Sequence, residues 1–456
     1  MNLDRLIGAF APEEVVHAVP TLEIADLAYD TRSVRDGALF FCVPGSRVDG
    51  HDLAPAAVAA GAVALVVERP LDAPVPQLLV ASVRDAMPKA ALAFFGDPSR
   101  ELPVAGITGT NGKTTTAFLL HSILAAADRQ PGLLTNIERR VGGESQPLGL
   151  NTPEAIDLQR LLRSMIDAGD KSCVMEATSI ASAQGRLQGM RFTVLAFTNL
   201  THDHLDFHKN MQLYYQAKFD LFNQTERAVI NVGDEWGRRL AAELPQASVF
   251  RPSDDLGDIE LHLKGSFNRA NALAAVLSAR ELGVSEDAIR TGIAAVPGVP
   301  GRFESIEEGQ PFDVIVDYAH TPDSLDNVLQ SARELADGRV IVVFGAGGDR
   351  DKRKRPNMGY VAAAGADRAI VTTDNPRRED PEAIARDVTQ GDPGRFEVIL
   401  DRAQAIEAAI ADAEPGDVVV IAGKGADVEM ELADRRVPFD DRTVARDALR
   451  RRAVEA

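Results

Sequence analysis

The chain has 456 residues, 45% of them apolar and 26% charged, and its 68 acidic against 49 basic side chains leave a net charge of −19. That balance excludes a surface built for nucleic acid or an anionic bilayer, so an anionic ligand must be met by a locally basic pocket. Cys42 and Cys173 form no Cys-x-x-Cys pair, which sets aside a disulfide framework and a thiolate metal site and fits a reduced, cytoplasmic compartment.

The N-terminus, Met1 to Gly8, lacks a long apolar core and is not expected to act as a signal peptide. The most apolar stretch, Leu53 to Val67, is broken by Pro55 and falls short of the roughly 20 residues a membrane span needs. About three domains are expected from this length. Residues 1–98 hold strand-like runs at Ala38–Val43 and Val63–Val67 around an alanine-rich helix pattern at 54–61, and read as a small α/β domain that exits through a helix at Val83–Phe95. Residues 99–299 alternate strands (Ser172–Met175, Val194–Phe197, Ala228–Asn231) with helices (113–127, 154–168, 211–222, 268–282). That alternation predicts a mostly parallel sheet flanked by helices. Pro297-Gly-Val-Pro-Gly301 reads as a hinge. Residues 300–456 form a third α/β alternation with strands at Val314–Val316, Val340–Phe344, Arg368–Thr372 and Val418–Ile421.

The most informative segment is Gly106-Ile-Thr-Gly-Thr-Asn-Gly-Lys-Thr-Thr-Thr116. An apolar run, Val104 to Ile107, leads into it and a helical pattern follows it. In that context backbone N–H groups and a helix N-terminus face a phosphate, a lysine adds charge and a threonine hydroxyl reaches Mg²⁺. The strict P-loop spacing would require glycine at 107, where the chain has Ile107, so the segment is a variant of that loop. It marks an ATP site at Gly109, Thr110, Asn111, Gly112, Lys113, Thr114 and Thr115.

Downstream, Val174-Met-Glu176 is a buried-strand pattern ending in a carboxylate, at the end of a strand where open α/β sheets place ligands. Glu176 is therefore a Mg²⁺ ligand candidate. Asn199-Leu-Thr-His-Asp-His-Leu-Asp-Phe-His208 packs three histidines and two aspartates behind another buried strand. The spacing matches no zinc pattern, and ATP chemistry calls for Mg²⁺, with His204 as the ligand. Lys218, taken alone, reads as a solvent-facing lysine on an amphipathic helix. Asn268, taken alone, reads as a plain helix N-cap.

The variant loop, Asp203-His-Leu-Asp-Phe-His followed by Tyr-Tyr-Gln-Ala-Lys218, Asp317-Tyr-Ala-His-Thr-Pro322, Gly345-Ala-Gly-Gly-Asp-Arg350, Asp374-Asn-Pro-Arg377 and Gly423-Lys-Gly425 occur in the order found in the Mur ligases. The chain resembles that family from residue 103 to 456, and more weakly over 1–98 through Asp30-Thr-Arg32 and Asp49-Gly-His51. The resemblance implies a three-domain α/β architecture: 1–98 binding the UDP-substrate, 99–299 with a central P-loop-type sheet binding ATP, and 300–456 binding the amino acid. It implies an ATP-dependent amide ligase working through an acyl phosphate in peptidoglycan precursor synthesis. Its members nearest to this pattern add the third stem-peptide residue to UDP-MurNAc-L-Ala-D-Glu.

By that resemblance Lys113, Glu176, His204 and Lys218 are catalytic, and Lys218 carries a CO₂-derived carbamate. Two Mg²⁺ ions are held by Thr114 with Glu176 and by His204 with Lys218. Asn268, Arg302 and Asp317 join the ATP site, the last two on closure about hinges near 98 and 300. Thr31, Asn151, Thr152, Thr178, Gln184 and Arg186 grip the UDP-substrate. Arg350, Asp374, Asn375, Pro376, Arg377, Gly423 and Asp427 bind the incoming amino acid, with arginine suited to the distal carboxylate of meso-diaminopimelate. The implied protein is a cytoplasmic monomer without nucleic-acid or membrane partners. Three departures stand out: Ile180 where relatives have a polar residue, Ala426-Asp427 where they have His-Glu, and a short stretch from Val249 to Phe267 read as a trimmed β-segment. Asp427, or Glu429 in its place, would meet the distal ammonium. The alternatives are a related ligase for L-lysine or another acid and amine pair, and a non-catalytic precursor-binding relative.

Overall fold

A computed structural model describes residues 1–455 except 18, 20, 46, 47, 148 and 149. The chain divides into two compact units, Met1–Thr108 with Arg129–Leu195 and Ala217–Ala228, and Gly109–Asp128 with Ala196–Gln216 and Val229–Ala456.

In the first unit, strands Glu14–Val16, Gln77–Leu79, Ala62–Val67, Ala38–Phe41 and Asp26–Ala28 lie side by side in that order, antiparallel at the first pairing and parallel thereafter. Alternation along Ala38–Phe41 feeds two cores. Leu39 and Phe41 join Leu3, Leu6, Val83 and Met87 on one face, while Ala38 and Phe40 join Ala54, Ala57 and Leu65 on the other. With both faces covered, the inner strands read as unbroken apolar runs, which is why composition alone found them. The same unit holds the parallel trio Val104–Thr108, Ser172–Glu176 and Pro131–Leu134, extended by the antiparallel strands Arg139–Val141 and Glu144–Gln146. Gly142 and Gly143, both at positive φ, make the tight turn of that last hairpin.

Helix Ala155–Asp167 packs against helix Val83–Phe95. Polar contacts reinforce the apolar seam: Arg163 Nε donates to the Phe95 carbonyl at 2.9 Å, and Arg160 bonds Asp26 and Asp157.

The second unit contains a six-stranded sheet ordered Glu304–Ser305, Asp313–Asp317, Val418–Ala422, Val340–Phe344, Arg368–Val371 and Phe396–Val398, parallel except at the first pairing. Its strands send alternate residues to two cores, Val342 and Phe344 to one and Ile341 and Val343 to the other. Helix Lys113–Ala126 lies against helices Phe267–Glu281 and Glu286–Ala294. A Cβ at Gly292 would sit 2.3 Å from the Ile123 Cα, so only glycine allows that approach.

Several expectations shift. The helix expected over 211–222 ends at Phe219 and tightens into a 3₁₀ stretch, Asp220–Gln224. Of the segment between Val249 and Phe267 only Ser248–Phe250 is strand, and 251–266 has no regular structure. Helices Glu235–Glu243 and Glu286–Ala294 and strand Pro131–Leu134 escaped the sequence reading. Gly301, at the hinge-like segment, has φ of +62°, and a Cβ there would lie 2.0 Å from the Ala426 amide nitrogen. Among the described residues no helix is long and apolar enough to cross a membrane.

Candidate active site

In the second unit the glycine loop is held from behind. Asn199 accepts the Asn111 N–H through Oδ1 at 2.9 Å, and Thr198 Oγ1 donates to the Asn111 carbonyl at 2.6 Å. Thr110 N–H donates to the Asn199 carbonyl, and Thr110 Oγ1 accepts the Thr201 N–H at 3.0 Å. Gly109 (φ +149°) and Gly112 (φ +84°) leave no room for a side chain, since a Cβ would meet Thr198 Oγ1 or Asn271 Oδ1. Helix Lys113–Ala126 starts with Gly112 as its N-cap, so no capping side chain stands over its first turn. That is how a helix N-terminus is left to receive an anion. Lys113 Nζ donates to the carbonyls of Gly109 and Thr110 at 3.1 and 2.7 Å, folded over the loop.

Arg302 reaches the same loop, donating to Thr114 Oγ1 at 2.9 Å while its guanidinium lies 4.4 Å from the Tyr318 ring centroid. Asn268 does not cap its helix: it is the second helical residue, donating to the Lys264 carbonyl and accepting from Asn271. A carboxylate that sequence reading missed, Asp323, accepts from Asn111 Nδ2 at 2.7 Å and Thr201 Oγ1 at 3.0 Å. It lies in the first turn of helix Pro322–Leu335. Burial, set against these two bonds, raises its pKa.

Asp317 ends its strand fully enclosed. It accepts the N–H groups of Phe303 and Ala319, each at 2.7 Å, yet burial outweighs these bonds and Arg302 and pushes its carboxyl up to about 6. Nearby, burial first and Lys354 second lower the His320 imidazole to about 4. Burial alone would raise Asp203, but His204, His320 and Lys354 overcome it and hold the carboxyl at about 2. His204, in a left-handed conformation (φ +53°), stands 3.3 Å from Asp203 and is 41% exposed. His208 is buried and stacks on Tyr214, so only part of the histidine cluster faces outward.

The residues expected to bind the amino acid lie at strand ends of the six-stranded sheet. A Cβ at Gly423 would fall 2.4 Å from Asp374 Oδ2. Asn375 Oδ1 accepts from Lys424 Nζ at 3.1 Å and from the Glu431 N–H at 2.9 Å. A Cβ at Gly347 would lie 3.1 Å from Arg377 Nη1 and 3.7 Å from Arg350 Cγ, so both arginines border one glycine. Arg377 (φ +51°) donates from Nη1 to the Gly348 carbonyl and from Nε to Glu431 Oε2 at 2.7 Å. Pro376 is buried beneath it, its carbonyl closing on Gly348.

The loop carrying Arg350 is clamped by Glu379, which accepts the Asp349 N–H at 2.6 Å and pairs with the buried Arg355. Arg355 in turn donates to the Gly347 carbonyl. Burial raises the pKa of Asp427, partly offset by Lys424. Glu429, the expected substitute, pairs through its side chain with the exposed Arg436 at 3.5 Å. The carboxylate beside Arg377 is instead Glu431, which sequence reading missed.

In the first unit Glu176 is buried at its strand end, its Oε1 accepting the Asn136 N–H at 3.2 Å. Thr152 Oγ1 donates to the Glu176 carbonyl at 2.8 Å and lies 3.0 Å from Thr178 Oγ1. Thr178 caps helix Ser179–Ala183. Arg186 donates to the Thr152 carbonyl and to Gln184 Oε1, and pairs with Glu154 at 3.0 Å. Thr152, Thr178, Gln184 and Arg186 are thus brought together. Asn151 is exposed at the start of the same turn, and Thr31 opens a 3₁₀ turn capped by Asp30. Lys218 is 1% exposed, which overturns the reading of it as a solvent-facing lysine.

Among the described residues no group of three or more His, Cys, Asp or Glu side chains could hold a metal by itself. The donors present are one buried carboxylate, a threonine hydroxyl and a half-exposed histidine, with a buried lysine. The carboxylate and the hydroxyl, each taken within its own unit, are the hard oxygen donors that Mg²⁺ accepts, an ion that keeps waters and takes phosphate oxygens instead of a protein cage.

Three segment profiles match in chain order: "Mur ligase family, catalytic domain" over 23–95, "Mur ligase middle domain" over 107–253 and "Mur ligase, glutamate ligase domain" over 301–425. The chain is 43% identical over 474 residues to the UDP-N-acetylmuramoyl-L-alanyl-D-glutamate–2,6-diaminopimelate ligase of Geobacillus kaustophilus, covering 96% of this chain and 97% of that one. It is also 43% identical to the protein of that name from Gloeobacter violaceus, with 95% of each chain covered. A solved structure of a ligase with that name is 29% identical, with a TM-score of 0.65 over 96% of this chain and 97% of the other. MurF from Thermotoga maritima in complex with ADP, 19% identical, shares the fold at a TM-score of 0.63 over 93% and 96%. The chain belongs to the Mur ligase family of ATP-dependent amide ligases.

Proposed function

We propose that this chain joins meso-diaminopimelate to the D-Glu carboxylate of UDP-MurNAc-L-Ala-D-Glu in peptidoglycan precursor synthesis. The observation that carries this reading is the approach of both Arg350 and Arg377 to Gly347, in a chain 43% identical to ligases named for that reaction. Two arginines bordering one glycine suit an acceptor with a second carboxylate, which lysine lacks.

The substrate carboxylate attacks the γ-phosphorus of ATP, and the bond to the ADP oxygen breaks. The acceptor amine then attacks the acyl carbon, phosphate leaves, and one proton departs from the nitrogen. Lys113, the loop N–H groups and the uncapped helix start bind the phosphates, with Thr110, Asn111, Thr115, Asn268 and Asp317 completing the ATP site. Arg302 couples that site to the strand end at Asp317. Thr31, Asn151, Thr152, Thr178, Gln184 and Arg186 orient the UDP-substrate, and Asp374, Asn375, Pro376, Gly423 and Asp427 frame the acceptor. Two Mg²⁺ ions, held by Thr114 with Glu176 and by His204 with a carbamate on Lys218, would neutralise the transferring phosphoryl group. We assign three domains, 1–98, 99–299 and 300–456, to a cytoplasmic monomer.

The test is phosphate release from ATP, Mg²⁺ and UDP-MurNAc-L-Ala-D-Glu with meso-diaminopimelate or L-lysine. Release is expected with diaminopimelate, and Lys113→Ala should lower kcat/KM by about 10³-fold. Equal use of lysine would overturn the acceptor assignment. Absence of release with either would overturn the reaction.

A further inference from the structure

Glu431 lies outside every motif that the sequence singles out, yet it is fixed as firmly as the arginine beside it. Its N–H donates to Asn375 Oδ1 at 2.9 Å, and its carbonyl accepts the Arg377 N–H at 3.0 Å. Its Oε2 accepts from Arg377 Nε at 2.7 Å. The short strand Glu429–Glu431, paired with Arg436–Pro438, supplies the rigid support. Arg377 spends Nε on Glu431 and Nη1 on the Gly348 carbonyl, and among the described residues its Nη2 has no hydrogen bond. Among the described residues Glu431 Oε1 has only Arg436, 3.6 Å away and 65% exposed, which is a weak partner. A carboxylate oxygen and a guanidinium nitrogen are therefore both left to a ligand at one half-buried point.

We infer that Glu431 is a specificity-determining residue for the acceptor, its Oε1 receiving the distal ammonium while Arg377 Nη2 and Arg350 receive the distal carboxylate. The inference rests on the diaminopimelate reading. The distal centre of that acceptor is a zwitterion, and an adjacent anion and cation on the protein are its complement. In this chain the ammonium-binding role passes to Glu431, because Glu429 is turned to Arg436, and partial burial of Asp427 disfavours its charged form despite Lys424. A carboxylate has lone pairs for both Arg377 and an ammonium, so the existing ion pair positions Glu431 without consuming it.

The discriminating probe is 2-aminopimelate, which keeps the distal carboxylate and lacks the distal amine. Glu431→Gln should raise KM for meso-diaminopimelate about 10- to 100-fold, the scale of a hydrogen bond to a charged group. KM for 2-aminopimelate should stay within about twofold, so the two acceptors converge in the variant. KM for ATP and for the UDP-substrate should not move, and Glu429→Gln should leave all four values as in the parent. An equal rise for both acceptors would mean that Glu431 only props up Arg377, and the inference would fall. So would a fall in KM for meso-diaminopimelate, which would make Glu431 a competitor of the substrate. A parent enzyme that releases no phosphate with meso-diaminopimelate sinks the underlying reading instead, so the two failures are told apart.

Discussion

In both the five-stranded sheet of the first unit and the six-stranded sheet of the second, parallel strands bury alternate residues in a core on each face. Their carboxyl ends are put to different use. In the first, Glu68 follows strand Ala62–Val67 and is consumed locally: its N–H donates to His51 Nε2, and its Oε1 accepts the N–H of Val83, the first residue of a helix. In the second, residues at or just past the ends of four strands converge on one another. Asp374 lies against Gly345 and Gly423 at distances that only glycine permits, and the Gly423 N–H donates to the Asp317 carbonyl at 3.0 Å. The left-handed residues Phe303, Asp349 and Arg377 lie on the loops around them. A strand end in an open sheet is thus only a candidate ligand site. Backbone strain does not separate the two, since His17 beside the first sheet is also left-handed. The carboxyls do: Asp317 is raised by burial, while Asp49, bonded to His51 and Arg69, is held well below its usual range.

The strongest way to break this contrast is to loosen the convergence. Arg402 is fully buried with Asp441, and it also donates to the carbonyls of Ala422 and Thr373, the residues leading into Gly423 and Asp374. Arg402→Ala leaves Asp441 charged and alone, so the urea midpoint should report a loss of about 3–5 kcal/mol. The double change Arg402→Met with Asp441→Leu should recover most of it, because apolar groups of similar volume replace a buried pair at little cost. A single variant that lost under about 1 kcal/mol would show that the strand ends converge without this pair.

A smaller effect sharpens the same point through pH. The Asp317 carboxyl is raised from 3.8 to about 6 in the folded chain. Protonation therefore favours the native state: the contribution is fully present below about pH 4 and is lost as pH rises through about 6. The shift corresponds to about 3 kcal/mol across that window. Comparing the parent with Asp317→Asn, the difference in unfolding free energy should change with pH between 4 and 6 and be flat above 7. Asp203 has the opposite sign, its carboxyl held at about 2, so it adds stability above about pH 4 that is lost as pH falls through about 2. A flat difference between pH 4 and 6 would show that Asp317 titrates normally, and the contrast between the two sheets would lose its electrostatic half.

What the sequence disclosed follows from range. The glycine loop, the helix starting at Lys113 and the strand Val340–Phe344 are set by residues adjacent in the chain, and the pattern reads them directly. Thr152, Thr178, Gln184 and Arg186, grouped through motif resemblance, do lie together in the fold. Asp323 did not, because its partner Asn111 is 212 residues away and a Thr-Pro-Asp-Ser helix start looks like ordinary capping. Glu379, Arg355 and Glu431 were hidden for the same reason. Acidic and basic residues on amphipathic or turn-rich segments read as solvated charge until the fold buries them together. Lys218 is the converse case: its segment reads as an exposed helix face, and the tertiary structure encloses it.

The smallest effect is expected at the first sheet, and it is the most direct check that the strand end at Glu68 is structural. Glu68→Ala removes the bond to the Val83 N–H and a negative charge from the start of that helix. Both losses are of the size of a lost N-cap, about 1 kcal/mol in thermal or urea unfolding. Glu68→Gln keeps an acceptor oxygen and should recover about half of that loss. Neither change should alter KM for ATP, the UDP-substrate or the acceptor, because Glu68 serves a turn and not a ligand. A selective rise in KM for the UDP-substrate, without a matching loss of stability, would place Glu68 in a binding surface. The strand ends at Glu68 and Asp317 would then differ in which ligand they meet, not in whether they meet one.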